Sequence, residues 1–207
     1  MARARTPIRA PGRRQWLGAG LLGGALAVLG AWRVRAQARP LHPRALRPPG
    51  ALAEPDFDGA CLRCGLCVQA CPFGVLQLAD AGGPVAEGTP FFQARQRACR
   101  LCGDLPCQRV CPTAALGAKS LRVTQARIGL AAVGDAARCH SMNGAARCNA
   151  CWRACPMQEH AIRMVAGRTP LGGQFTPTVD AEVCTGCGLC EQFCIADPPA
   201  ITVRRHA

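Results

Sequence analysis

Cysteine is the residue type in this chain whose number and spacing most clearly indicate chemistry. The 207 residues contain 16 cysteines, and residues 61–72 read C-x2-C-x2-C-x3-C-P. Three thiolates at these intervals lie on one tight loop. The fourth begins the next turn, where the proline after it fixes φ. This spacing is typical of ligands to cubane iron–sulfur clusters. The chemistry it predicts is the storage and transfer of electrons.

Three further runs of four cysteines vary this spacing. The second run stretches the middle gap to four residues, and the third stretches the first gap to eight. The fourth run repeats the plain spacing, with Ile195 where proline would stand, and no cysteine is left over. We therefore predict four [4Fe–4S] clusters, held by Cys61, Cys64, Cys67, Cys71, Cys99, Cys102, Cys107, Cys111, Cys139, Cys148, Cys151, Cys155, Cys184, Cys187, Cys190 and Cys194.

The spacing also suggests how the runs share their ligands. In two-cluster ferredoxins, the fourth cysteine of each run binds the cluster of the other run. Because the first and fourth runs are plain and the second and third are stretched, we predict that like exchanges with like. The predicted outer pair joins Cys61, Cys64 and Cys67 with Cys194, and Cys184, Cys187 and Cys190 with Cys71. The predicted inner pair joins Cys99, Cys102 and Cys107 with Cys155, and Cys139, Cys148 and Cys151 with Cys111.

This nested exchange would bring Phe57 near Ile201. The alternative pairs neighbouring runs, the first with the second and the third with the fourth. That arrangement would place Cys71 beside Cys99, Cys102 and Cys107.

Two other uses of cysteine fit the pattern less well. Structural zinc sites use separated pairs of cysteines, or cysteines with histidines, and this chain has only four histidines. A disulfide scaffold is compatible with an even cysteine count and with export. However, the crowding within each C-x2-C-x2-C run suits metal binding better than crosslinking.

Residues 1–38 are predicted to be a twin-arginine signal peptide. Arg13-Arg14-Gln15-Trp16-Leu17 resembles the twin-arginine motif, and the apolar run 17–31 is shorter than the roughly 20 residues of a membrane span. Ala36-Gln37-Ala38 fits a cleavage site; retention as an uncleaved anchor is the alternative. Clusters are assembled in the cytosol, so a cluster protein must be exported folded. We therefore expect a periplasmic protein, peripheral to the inner membrane.

The remainder divides into a Pro-rich linker, residues 39–56, and a four-cluster domain, residues 57–207. The domain is predicted to be a small α+β fold of tandem or nested ferredoxin-like two-cluster modules with many loops. In the nested version, the outer module comprises 57–90 plus 175–207 and the inner module 91–170. Short β-like stretches are expected at 74–78, 126–133 and 200–203, and Gly- and Pro-rich loops at 80–90 and 167–178.

Charge argues against a nucleic-acid ligand. The net charge is +13, but seven of the 25 basic residues lie in 1–38, which leaves 18 against 12 acidic residues, or +6. Four oxidised clusters with their thiolates would add about −8. Arginines beside the cysteines are expected to balance this charge (Arg63, Arg100, Arg109, Arg138, Arg147 and Arg153).

No catalytic residues are predicted. The sequence contains no Ser-His-Asp arrangement and no C-x-x-C-H haem site. His140 is expected to be a surface or hydrogen-bonding residue rather than a ligand, because Cys139 already completes its run. Asp104 is expected to form a turn.

Taken together, these features resemble the NapG/MauM family of ferredoxin-type proteins. The resemblance rests on residues 61–72, 88–92, 126–130, 139–156 and 175–194, and on the twin-arginine signal. It implies a periplasmic protein with four [4Fe–4S] clusters. The chain would be an electron-transfer subunit of a quinol dehydrogenase complex rather than a stand-alone enzyme.

The two branches of this family imply different partners. The NapG branch implies a membrane-embedded, ferredoxin-type subunit that oxidises quinol, and a periplasmic reductase or cytochrome as acceptor, in the nitrate reductase system. The MauM branch belongs to methylamine dehydrogenase systems, where an accessory or maturation role is the alternative. The sequence leaves both branches open.

Overall fold

Short helices and strands separated by long loops make up the protein. The computed structural model describes residues 42–117, 121–169 and 172–205, so the predicted signal peptide lies outside the described residues. The helices are α1 (Asp56–Ala60), α2 (Leu66–Gln69), α3 (Pro106–Arg109), α4 (Ala150–Ala154) and α5 (Leu189–Gln192), with a 3-10 turn at Val123–Gln125. The strands are β1 (Ala45–Leu46), β2 (Gln77–Leu78), β3 (Pro90–Gln93), β4 (Leu130–Val133), β5 (Ile162–Thr169), β6 (Gly172–Val179) and β7 (Ile201–Arg204).

In the part of the chain that the structure describes, the strands form three small antiparallel sheets. The first has the order β1-β3-β2, the second pairs β4 with β7, and the third pairs β5 with β6. In the second sheet Leu130 lies opposite Arg204 and Val133 opposite Ile201. Strands β2 and β4 lie within the stretches 74–78 and 126–133 where β-structure was expected, and β7 overlaps the third stretch, 200–203, and ends one residue after it. The architecture agrees with a small α+β, ferredoxin-type domain.

The described part of the expected linker is packed into the fold. Ala45 and Leu46 are fully buried in β1, which pairs with β3, and Pro48 and Pro49 are also buried. Prolines suit this segment because they bring no backbone N–H that would need a partner once buried. The ordered fold therefore includes residues 42–56 and does not start near Phe57.

Arg47 explains why this segment is held in place. It is 3 % exposed, and its guanidinium donates hydrogen bonds to Glu54 Oε1 at 2.7 Å, Thr89 Oγ1 at 2.7 Å and the Pro90 carbonyl at 3.0 Å. Arg205, after β7, contacts the same Glu54 oxygen at 3.2 Å. A shared carboxylate thus joins the segment before the first run to the end of the last strand.

Residues 167–169 and 172–178 lie in two paired strands instead of the predicted loop, whose residues 170 and 171 lie outside the described residues. β5 and β6 pair from Ile162 opposite Val179 to Thr169 opposite Gly172. The β-branched residues near the base of this hairpin favour strand, and a two-stranded ribbon has free edges where Pro177 can lie without breaking a ladder. The Ser141 hydroxyl donates to the Phe175 carbonyl, which fixes the hairpin to the third cysteine run.

Cysteines are built into the main apolar core. Leu46, Phe92, Ile128 and Val203 belong to one buried cluster that also contains Cys107, Cys184 and Cys190. The described residues between 42 and 205 belong to one compact unit. Among the residues that the structure describes, no helix combines the length and apolar character needed to cross a bilayer.

Candidate iron–sulfur sites

The cysteines line four separate cavities, and none of the 16 is in a disulfide. Each cavity takes three cysteines from one run and one from another. We call them site 1 (Cys61, Cys64, Cys67 and Cys111), site 2 (Cys71, Cys99, Cys102 and Cys107), site 3 (Cys139, Cys148, Cys151 and Cys194) and site 4 (Cys155, Cys184, Cys187 and Cys190).

This grouping contradicts the nested exchange. Fourth cysteines are exchanged, as expected, but between neighbouring runs: Cys71 lies with the second run and Cys194 with the third. The physical reason is helix packing. Helix α2 packs against α3 and α4 against α5. Each helix contains the third cysteine of its run, and the fourth cysteine follows the helix. Two packed helices therefore bring the third and fourth cysteines of both runs to the same two sites. The outer and inner modules of the nested version therefore do not occur as predicted. Phe57 packs with Ala115 and Leu116 in the core beside site 1.

The loops around sites 1, 2 and 4 share an unusual backbone pattern. The residue before the second cysteine has a positive φ in each: 56° at Arg63, 50° at Leu101 and 72° at Gly186. The residue before the first helical position repeats it, with 74° at Gly65, 42° at Leu105 and 90° at Gly188. Left-handed residues among right-handed ones turn successive N–H groups toward one concavity, which favours an anion.

The third run lacks this pattern at the residue before its helix. Asn149, which caps α4, has a φ of −133°. The stretched first gap of this run takes a different route. Asn143 N–H bonds back to the Cys139 carbonyl at 2.8 Å, and its side-chain amide donates to the Ala137 carbonyl at 2.7 Å.

Hydrogen bonds also reach the fourth cysteines. The Val75 N–H donates to Cys71 Sγ at 3.4 Å. Burial raises the pKa of the Cys111 thiol. Hydrogen bonds from the backbone of Leu116, Thr113 and Ala115 and from the Thr113 hydroxyl outweigh this effect, so the pKa of Cys111 is lowered overall. Such bonds favour the thiolate, which is the form that binds metal.

All the other thiols with a shifted pKa change in the opposite direction. Burial raises the pKa of Cys99 and of Cys107 to about 12, and that of Cys67 and of Cys151 to about 11. Neighbouring cysteines add to the effect; Cys187, Cys107 and Cys102 do so at Cys99. Without metal these thiols are protonated at neutral pH. Loading the sites therefore requires proton release, and a cationic iron core supplies the compensating charge.

The donor set fits a [4Fe–4S] cluster. Each cavity offers four thiols in largely apolar walls, with about 340 to 390 Å³ of space free of protein atoms, part of it open to solvent. Within the described ranges, no three Cys, His, Asp or Glu side chains converge closely enough to bind a single ion. His140 lines site 3, where four cysteines are already present.

The arginines beside the cysteines behave in two ways. Arg63 lines site 1 and Arg100 lines site 2. Arg109 instead pairs with Asp104 at 3.4 Å and Arg138 with Asp135 at 3.0 Å, so these two are balanced by carboxylates.

A residue that the sequence analysis missed is Arg95. Its guanidinium donates to the carbonyl oxygens of Cys194 at 2.8 Å, Glu191 at 3.2 Å and Ala196 at 3.3 Å, and so caps the end of α5. It lies four positions before a cysteine, and its partners are about 100 residues away in sequence. No local signal marks it.

Comparison with known proteins places these sites in a family. The model for the 4Fe-4S dicluster domain matches residues 60–115, which hold the first two runs, and residues 146–197, which hold the last two runs apart from Cys139. The methylamine utilization ferredoxin-type protein MauM of Methylobacillus flagellatus is 47% identical over 158 residues, covering 76% of this chain and 67% of that protein. The ferredoxin-type protein NapG of Escherichia coli K12 is 45% identical over 161 residues, covering 76% of this chain and 69% of NapG.

A third relative extends the match along the chain. The MauM protein of Methylorubrum extorquens is 39% identical over 198 residues, which is 94% of this chain and 90% of that protein. With the cysteine sites and the dicluster domain, these similarities identify the chain as a ferredoxin-type iron–sulfur protein that belongs to the NapG/MauM family.

Proposed function

We propose that the protein holds four [4Fe–4S] clusters, one in each of sites 1 to 4, and relays electrons between two redox partners. The observation that carries this proposal is the complete division of 16 cysteines into four sets of four, each around a cavity of similar size. When bound, such a cluster accepts and releases one electron at a time. All 16 cysteines are proposed as ligands, in the sets that the cavities define.

The protein has three tasks in this function. The thiolates would hold the iron, the left-handed turns would direct backbone N–H groups toward the sulfurs, and the apolar walls would keep water away. Cys184, Cys187 and Cys190 in site 4 are 7 %, 8 % and 5 % exposed. Hydrogen bonding and solvent exposure are the main means by which a protein sets cluster potentials.

The proposed place of action is the periplasm. Residues 1–38 carry the features of a twin-arginine signal, and folded export suits a protein whose clusters are inserted beforehand. The proposed donor is a membrane-embedded, ferredoxin-type subunit that oxidises quinol. The proposed acceptor is a periplasmic reductase or cytochrome of a nitrate reductase system, as the resemblance to NapG suggests.

A second candidate function is an accessory role in a methylamine utilization system. It is supported by the similarity to MauM, 47% identity over 158 residues, which is close to the 45% identity over 161 residues with NapG. In that role the clusters would serve assembly of a partner enzyme and would not turn over with quinol.

Redox turnover separates the two functions. The oxidised protein would be added anaerobically to membranes that contain the quinol-oxidising partner, with reduced quinol present, and its visible absorption followed. An electron relay predicts bleaching that depends on quinol and partner, followed by reoxidation when the periplasmic acceptor is added. A protein that chemical reductant bleaches but quinol and partner do not would contradict the relay and favour the accessory role.

A further inference from the structure

Sites 1 and 2 form one half of the protein, and sites 3 and 4 form the other. Within each half, the two sites share their supporting helices. Cys67 faces site 1 and Cys71 faces site 2, although only three residues separate them along α2 and its end. Cys151 and Cys155 divide in the same way between sites 3 and 4. Sites 1 and 2 are therefore direct neighbours, as are sites 3 and 4. The open question is which sites meet between the halves.

A backbone hydrogen bond joins site 2 to site 4. The Cys99 N–H donates to the Cys187 carbonyl at 2.9 Å. Cys99 lines site 2 and Cys187 lines site 4. Both cysteines belong to one apolar cluster with Ala98 and Leu189. A ligand of one half thus contacts a ligand of the other directly.

Small residues make this approach possible. Gly188 has a φ of +90°, and a Cβ built there would collide with Ala94 and lie 3.5 Å from the Ala98 Cβ. A larger residue at position 94, 98 or 188 would push residues 94–99 away from residues 186–188. The junction is therefore as close as the two backbones permit.

Polar contacts hold the same segment in register. The Gln192 side chain accepts from the Ala98 N–H at 3.3 Å and donates to the Gln96 carbonyl at 3.2 Å. Arg95 donates to the Cys194 carbonyl at 2.8 Å. Residues 94–99, from the first half, are thus fastened along α5, in the second half.

The two sites that do not meet at the junction both have exposed residues beside them. Cys64 of site 1 is exposed, with Leu62 beside it at 65 % exposure. Ile195, which lines site 3, is 59 % exposed. Exposed apolar residues are not confined to these two sites, because Phe73, which lines site 2, is 55 % exposed. The junction between sites 2 and 4 therefore decides which sites are the ends of the path.

We propose that residues 94–99 and 186–188 form the bridge for electrons between the halves, so that the path runs through sites 1, 2, 4 and 3. This inference rests on the proposed four-cluster relay. Tunnelling falls steeply with distance, so the path follows the closest approach between ligands and not the order of the runs in the chain. Sites 1 and 3 are then the two ports for redox partners.

Removing one site at a time tests the order. In a Cys184→Ser, Cys187→Ser variant, which lacks site 4, the fully reduced protein should show an electron paramagnetic resonance signal from site 3 that is free of spin coupling. In a Cys139→Ser, Cys148→Ser variant, which lacks site 3, every remaining signal should stay coupled. The reverse pair of results would overturn the proposed order.

The bridge itself is tested by Ala98→Leu, with Ala132→Leu, at an exposed position of β4, as the matched control. Ala98→Leu should keep its iron content and weaken the coupling between the halves, whereas the control should match the wild type. Coupling as strong as that of the wild type in a fully loaded Ala98→Leu protein would overturn the inference. A wild-type protein without iron and sulfide would instead refute the four-cluster proposal, which separates the two failures.

Discussion

At the scale of single residues, the fourth cysteines determine how the protein is organised. Cys71 and Cys111 cross between sites 1 and 2, while Cys155 and Cys194 cross between sites 3 and 4. Each of these cysteines lines one site and lies four positions after a cysteine that lines the other site. The cysteine sets therefore make the sites of each half mechanically dependent on each other.

Paired cysteine substitutions test this crossing. Cys71→Ser with Cys99→Ser removes two ligands from one site, so we expect a loss of about four irons per chain, one cubane. Cys71→Ser with Cys187→Ser damages two sites, and we expect a loss of about eight. Iron analysis of anaerobically purified protein measures both.

The nested arrangement predicts the opposite order for these double variants. It would assign Cys71 and Cys187 to one cluster and Cys71 and Cys99 to two. Each single variant serves as a control, since it should lose no more than one cluster.

Arg47 is the residue whose loss should most disturb the fold outside the cysteine sites. Its guanidinium lies 4.4 Å from the centre of the Phe57 ring, beside site 1, and is paired with Glu54 and Asp58. Glu54 Oε2 is buried and has no partner in the described structure, so Glu54 depends on its other oxygen. Arg47→Met leaves that carboxylate poorly compensated.

We expect Arg47→Met to destabilise the protein by roughly 3–5 kcal/mol, the usual cost of breaking a buried ion pair from one side. Anaerobic denaturant unfolding, followed by loss of cluster absorption, measures the effect. Arg44→Met, at an exposed position, is the control and should change little. Equal midpoints for the two variants would contradict the role given to Arg47.

At the scale of elements, the short helices matter less than the turns that lead into them. Helices of four or five residues have little stability of their own. Their positions come from the left-handed residues before them and from the metal that their cysteines are expected to bind. Gly65, at φ 74°, is the cap of α2, and Leu105 adopts a similar conformation at φ 42° despite its side chain.

Gly65→Ala and Gly59→Ala separate backbone strain from packing. A Cβ on Gly65 meets only the Leu78 side chain at 3.5 Å, so its cost is the left-handed conformation, about 1–2 kcal/mol. Gly59 lies in α1 with nothing within 4 Å, and alanine there should stabilise by about 0.5–1 kcal/mol. Anaerobic unfolding midpoints should therefore shift in opposite directions. A Gly65→Ala midpoint at or above that of the wild type would show that the left-handed Gly65 turn is not required.

At the scale of the whole molecule, one apolar core unites all four sites. Cys107 of site 2 and Cys184 and Cys190 of site 4 are part of it, together with Leu46 and Val203 from opposite ends of the described chain. Cores lined by thiols leave little aliphatic surface to bury. Much of the folding free energy must then come from metal binding, as in other small metalloproteins.

Removal of the metal should therefore unfold the protein. We expect iron chelation under anaerobic, reducing conditions to abolish most of the far-ultraviolet circular dichroism. Reloading should become easier from neutral to mildly alkaline pH, because burial raises the pKa of Cys99 and Cys107 to about 12 and loading must displace their protons. A chelated protein that keeps its dichroism, or reloading that improves as the pH falls, would contradict this account.

Some of these features could be predicted from the sequence and others could not. The division into four runs was predictable because the spacing of each run is local, and β7 followed from the apolar stretch after the last run. The partner of each fourth cysteine was not, because helix packing decides it and the similarity of two gaps does not. The burial of Arg47 and the hydrogen bonds that Arg95 donates to the end of α5 depend on contacts between segments that are distant in sequence. The proline content of residues 39–56 suggested a linker, whereas the structure has strand β1 there.

The central claim is that 16 cysteines hold four cubane clusters. The most direct test is a count of iron and acid-labile sulfide in anaerobically purified, full-length protein. Four cubanes predict about 16 irons and about 16 sulfides per chain. Tightly bound zinc without sulfide, or a limit of about eight irons per chain in fully loaded protein, would contradict it.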